Sequence, residues 1–147
     1  MTPHDFPVLA KWMMQIPLWQ RYGLTEERAI QNFEQGLRQE DDLWVVVSGN
    51  NAVGFVWVMP KGLFGRSPYV RLIGVNPDIK RSGLGSALLN HAERRVSAFA
   101  KDIFLLVSDF NLDAQAFYKR QGYVQVGALE NYVLTGVNEL LFRKVFE

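Results

Sequence analysis

The 147-residue chain contains no cysteine. Disulfides, thiolate zinc sites and a cysteine nucleophile are excluded, and a reducing compartment is the matching environment. Histidine is nearly as scarce. His4 and His91 stand far apart, and His91 falls on the polar side of a helical pattern, so both read as solvated and no metal site is expected. Charge is balanced, with Lys+Arg 16 against Asp+Glu 15. The resulting net charge of +1 leaves no broad footprint for nucleic acid or an anionic membrane. No apolar run approaches the ~20 residues of a membrane span, and Met1 to Pro7 lacks the basic start and apolar run of a signal peptide. A soluble cytoplasmic protein is expected. Repeats and low-complexity tracts are missing too, and 48% hydrophobic content suits one domain over residues 1–147.

What is present is a run of alternating helical and extended patterns. Val8, Leu9, Trp12, Met13 and Ile16 recur at spacings of three and four, which predicts a helix over Asp5 to Ile16 stopped by Pro17. Leu18 to Leu24 reads as an aromatic-rich loop, and Thr25 as the N-cap of a second helix with Glu26 and Glu27 in its first turn. Leu43 to Ser48 and Ala52 to Met59 form a hairpin around Gly49-Asn50-Asn51, and Tyr69 to Val75 is a third strand. Leu84, Leu88, Ala92, Val96 and Phe99 then repeat at helical spacing. Asp102 to Val107 is an apolar strand without alternation, buried on both faces as in a parallel pairing. Asn111 caps a last helix that Gly122 closes, and Tyr123 to Gly127 and Val137 to Phe146 supply two final strands. The fold class is α/β, a mixed sheet with helices on both faces.

Between the third strand and the long helix lies Val75-Asn76-Pro77-Asp78-Ile79-Lys80-Arg81-Ser82-Gly83-Leu84-Gly85-Ser86. A strand that turns through two glycines into a helix start offers unpaired N–H groups at the positive end of the macrodipole, which is a pyrophosphate site. The common nucleotide motifs do not fit. A phosphate-binding Lys before Ser or Thr is missing after Gly85, and Leu88 stands where a dinucleotide fingerprint needs a third small residue.

Two blocks carry a resemblance. Leu72 to Val75 running into Lys80-Arg81-Ser82-Gly83-Leu84-Gly85-Ser86, followed by Asn111-Leu112-Asp113-Ala114-Gln115-Ala116-Phe117-Tyr118-Lys119-Arg120-Gln121-Gly122-Tyr123, resembles the GNAT superfamily of acyl-CoA-dependent N-acyltransferases over nearly the whole chain. The first block looks like that family's Gln/Arg-x-x-Gly-x-Gly/Ala motif and the second like its Asn-x-x-Ala-x-x-Phe-Tyr-x-x-x-Gly-Phe helix. The resemblance implies a mostly antiparallel sheet, splayed between its fourth and fifth strands, that binds acetyl-CoA as co-substrate. It implies that Ile73, Gly74 and Val75 border the pantetheine arm, that Arg81, Ser82, Gly83, Leu84, Gly85 and Ser86 hold the diphosphate, and that Asn111 contacts the pantetheine region. Tyr118 is implied as the general acid for the departing thiolate, and a phenol with a pKa near 10 is protonated at neutral pH.

Three departures qualify the match. Lys80 replaces the usual Gln or Arg, Leu106 stands where several relatives carry a catalytic Glu, and the N-terminal edge strand is shortened or absent. Asp109, Glu130 and Glu139 are candidate bases that read better as surface carboxylates. Trp19, Tyr22, Glu130 and Tyr132 are the candidate acceptor-site residues. The implied reaction is N-acetylation of a small-molecule primary amine, such as a polyamine, an amino acid derivative or an amine antibiotic. A protein amine, a non-catalytic acyl-CoA-binding or sensing module and a nucleotide-binding regulatory domain remain as alternatives. No nucleic-acid or membrane partner is expected, and the resemblance implies a homodimer.

Overall fold

The computed structural model describes residues 1–79 and 82–147. Its N-terminal third holds three helices: α1 (Phe6–Met13), entered through a 3-10 turn at Pro3–Asp5, then α2 (Pro17–Arg21) and α3 (Glu26–Arg38). The loop expected over Leu18 to Leu24 is thus partly helical. Pro17 occupies the first helical position, where its missing N–H costs no hydrogen bond, so it starts α2 rather than merely stopping α1. Thr25 caps α3 as expected, its Oγ1 accepting the Arg28 N–H at 3.2 Å.

Six strands follow: β1 (Asp42–Ser48), β2 (Asn51–Leu63), β3 (Ser67–Val75), β4 (Asp102–Ser108), β5 (Val124–Leu129) and β6 (Glu139–Val145). Their order in the sheet is β1-β2-β3-β4-β6-β5. α4 (Leu84–Val96) links β3 to β4, which pair in parallel, and α5 (Leu112–Arg120) links β4 to β5. All other neighbouring strands are antiparallel. Among the described residues no strand precedes the helices, so the splay falls between the third and fourth strands of this chain.

Alternation along β2 divides the interior into two layers. Phe55 and Trp57 face Phe6, Leu9, Trp12, Met13 and Phe33 of the N-terminal helices. Val56 and Val58 face Leu88, Leu89, Ala92 and Val96 of α4 together with Ile103, Leu105 and Val107 of β4. Each large side chain buried this way contributes roughly 1.5–3 kcal/mol before entropy is counted. α4 is tied down further by Glu93, which accepts the Tyr123 hydroxyl at 3.0 Å and Lys144 Nζ at 2.8 Å. Two expectations change here. α4 ends at Val96 and leaves Phe99 exposed beyond it, and His91 is half-buried with its ring edge-on to Trp44, 5.1 Å between centroids, rather than solvated.

Candidate active site

The site begins with a sheet that comes apart. β3 and β4 are partnered at Tyr69 with Phe104 and at Val70 with Leu105, and no further pair joins them among the described residues. β3 continues to Val75 on the strength of its bonds to β2, and β4 to Ser108 on its bonds to β6. The backbone groups of β3 that face the gap are therefore left for another partner to satisfy.

On the α4 side, the gap opens into a cavity of about 430 Å³ lined by Ile73, Gly74, Val75, Ser82, Gly83, Leu84, Gly85, Ser86, Phe117 and Tyr118. Ser82 to Ser86, the described residues that the resemblance assigns to the diphosphate, are all there; Lys80 and Arg81 lie outside the described residues. Gly83 takes the N-cap position of α4 at φ +77, a conformation that favours glycine. Gly85 has a different reason: a Cβ built on it would come no nearer than 3.7 Å to protein, at Phe117, so packing does not demand glycine. Its missing side chain leaves room for a ligand to approach the first-turn amides of α4. Gly74 is instead a packing glycine, since a Cβ would lie 2.6 Å from Trp19 and 3.0 Å from Phe55.

Tyr118 stands at the α5 wall of this cavity, edge-on to Phe117, Tyr123 and Phe142. Burial, and secondarily the neighbouring Tyr69, pushes its phenol well above the ordinary value. Its side chain has no hydrogen-bond partner among the described residues, and Tyr118 lines the cavity with its phenol protonated at neutral pH. Phe117, which precedes Tyr118 in the motif, lines the same space. Asn111 does not: it caps α5, its Oδ1 accepting the Ala114 N–H at 3.2 Å. Gln121 Nε2 donates to Ser86 Oγ at 3.0 Å and so clamps the end of α5 to the start of α4.

On the opposite face, a second cavity of about 470 Å³ lies beneath the N-terminal helices. Leu72 and Leu106 line it at the gap, with Trp19, Tyr22, Tyr69, Arg71, Ser108 and Glu139 around them. Glu139 corrects the reading of a surface carboxylate, because only 5% of it is exposed. It is paired with Ser108 across β4 and β6, and its Oε1 accepts the Tyr22 hydroxyl. Ser108 Oγ lies 2.6 Å from the Tyr22 oxygen and 3.3 Å from Glu139 Oε2. Burial and the hydrogen bond to Glu139 raise the Tyr22 pKa. Tyr69 is pushed up to about 12, chiefly by burial, then by Tyr132 and Glu139.

Of the other candidates, Trp19 and Tyr22 line this cavity, whereas Glu130 and Tyr132 are exposed and do not. Asp109 is also outside it, accepting the Asn138 N–H at 3.0 Å. A charged residue opening a strand looks solvent-facing in one dimension; the signal for Glu139 was that it shares a strand face with the apolar Leu141.

The sequence model of the acetyltransferase (GNAT) family matches residues 7–123. The chain belongs to the GNAT acetyltransferase family. Solved structures agree on the fold. Ribosomal-protein-alanine N-acetyltransferase from Brucella melitensis is 18% identical, covers 99% of this chain and 97% of its own, and superposes with a TM-score of 0.79. A GNAT-family acetyltransferase from Bacillus cereus is 19% identical with 98% and 92% coverage and a TM-score of 0.78. An aminoglycoside 6'-N-acetyltransferase complexed with coenzyme A is 17% identical with 95% and 91% coverage and a TM-score of 0.75. Comparison with curated protein sequences gives no match. This GNAT domain has no cluster of three or more metal-ligating side chains and no helix long and apolar enough to cross a membrane, among its described residues.

Proposed function

We propose that this GNAT acetyltransferase moves the acetyl group of acetyl-CoA to the primary amine of a small molecule by direct attack in the gap between β3 and β4. The observation that carries this reading is the pair of cavities meeting at that gap. One has a glycine-turn helix start and a protonated phenol; the other has a buried carboxylate. Backbone groups of Ile73 and Val75 pair with the amides of the pantetheine arm as a neighbouring strand would. The amides of Ser82 to Ser86 hold the diphosphate.

Glu139 receives the amine, with Tyr22 and Ser108 fixing the carboxylate's orientation. The neutral nitrogen attacks the acetyl carbon, a C–N bond forms and the C–S bond breaks. The proton leaving nitrogen goes to Glu139, the proton reaching sulfur comes from Tyr118, and solvent restores both groups. Glu139 thereby stands in for the carboxylate that Leu106 does not supply.

The test is thiol release from acetyl-CoA with pooled amines, free of background because the chain has no cysteine. Release that needs an amine supports the proposal; acetyl-CoA binding without release under any amine contradicts it. The latter is the behaviour of a non-catalytic acyl-CoA-binding module, the reading favoured by Leu106 taken alone.

A further inference from the structure

The acceptor cavity contains a second ionic group that the transfer chemistry does not use. Along β3 the pairing with β2 steps from Leu72 opposite Trp57 to Val70 opposite Val58, so Arg71 is an extra residue with no partner on β2. A bulge of this kind re-aims a side chain, and it brings Arg71 and its neighbour Leu72 to the same cavity wall. The guanidinium is half-buried, its Cζ 4.2 Å from the centre of a Trp57 ring. Among the described residues it has no carboxylate within 4 Å and donates no hydrogen bond. The carboxylate whose field it feels, Asp41, accepts Trp57 Nε1 at 3.0 Å instead. Arg28, exposed on α3, adds a second positive group to the lining.

The same wall holds Glu139, which has no basic partner within 4 Å among the described residues. The cavity therefore presents an acid and a base that do not pair with each other, and Tyr69 lies in the field of both. A guanidinium drawn from water without a partner is costly, and its planar fork matches a carboxylate in two parallel hydrogen bonds. We propose that the acceptor is a small amino acid, its amine received by Glu139 and its carboxylate held by Arg71. The cavity, about 470 Å³, is large enough to admit such a molecule. The inference rests on the amine-receiving role of Glu139 proposed above.

The experiment compares amino acids of varied side chain with their carboxamides and the matching decarboxylated amines. Binding is followed by calorimetry in the presence of coenzyme A, and transfer by thiol release. The wild-type protein is expected to prefer the acid over its carboxamide by roughly tenfold to a hundredfold, the range for a hydrogen-bonded charged group. Arg71→Gln should abolish that preference mainly through KM, and Arg71→Lys should restore part of it, with coenzyme A affinity unchanged in both. Equal binding of acid and carboxamide, or a preference that survives Arg71→Gln, overturns the inference. Thiol release at equal rates from plain amines and acids likewise removes the inference but leaves the transfer reaction standing. Arg71-dependent binding of acids without any thiol release would leave an amino acid site standing but remove its role as acceptor together with the transfer reaction.

Discussion

Ser108 of β4 and Glu139 of β6 are paired directly across the sheet, and the serine hydroxyl lies 3.3 Å from Glu139 Oε2. The pair is closed over by Tyr22, which reaches it from just beyond α2. A carboxylate held from two directions keeps one orientation, and that preorganisation is what proton transfer needs.

Glu139→Gln retains the shape and an acceptor for Tyr22 but removes the proposed base. Turnover should fall by about a hundredfold or more while acetyl-CoA affinity is unchanged. Steady-state rates beside calorimetric titration with acetyl-CoA check this, and undiminished turnover would exclude Glu139 as the base.

Tyr118→Phe removes the proposed proton donor from the other side of the gap. The loss should again be about a hundredfold in turnover with little change in acetyl-CoA affinity. Because burial raises the Tyr118 pKa, the wild-type rate should show no alkaline fall from this group until well above pH 10. A rate profile over pH that bends downward near 8 in wild type, and not in the variant, would refute that assignment.

Gly85 and Gly74 should separate under substitution by alanine. Gly85→Ala meets no close protein atom and replaces a helix glycine, so stability should rise by roughly 0.5–1 kcal/mol. Its acetyl-CoA affinity should fall tenfold or more, since the new methyl occupies the phosphate approach. Gly74→Ala, with Trp19 at 2.6 Å, should cost about 1–3 kcal/mol by overpacking. Thermal melts and titrations of the two variants distinguish them.

Alkaline pH should unfold the protein through its buried phenols. Tyr69, Tyr118 and Tyr123 all have folded-state pKa values above the ordinary 10.0. Between pH 10 and those values the unfolded chain has lost protons that the folded chain keeps, so stability is full below pH 10 and declines as pH rises. For Tyr69 the decline runs to about 12. Denaturant midpoints from pH 9 to 12 should drop less in Tyr123→Phe than in wild type; parallel curves would contradict the linkage.

The glycine turn, α4, β4 and the Asn111 cap were legible in the sequence because their signals are local: glycines at a strand end, apolar spacing, a side chain that bonds three residues ahead. α2 was hidden by Pro17, whose effect depends on which side of it the helix lies. Glu139 and Arg71 were harder for a different reason. Glu139 meets Ser108 only because β6 inserts between β4 and β5, and Arg71 lines the cavity wall only because β3 slips one residue against β2. Strand order and register are long-range outcomes of packing. Tyr132 and Glu130 are exposed and outside the lining of that cavity, which the segment between the last strands reaches through Val133 instead.

On the proposed function, the cavities on the two faces of the split sheet are halves of one transferase site. Thiol release with an amino acid acceptor, measured for wild type, Tyr118→Phe, Glu139→Gln and the double variant, tests it most directly. Two groups acting in a single transfer should give a double variant scarcely slower than the slower single one. A rate indifferent to Glu139 would mean that the carboxylate cavity takes no part in the reaction, and losses that multiply would mean that the two groups do not act as one unit.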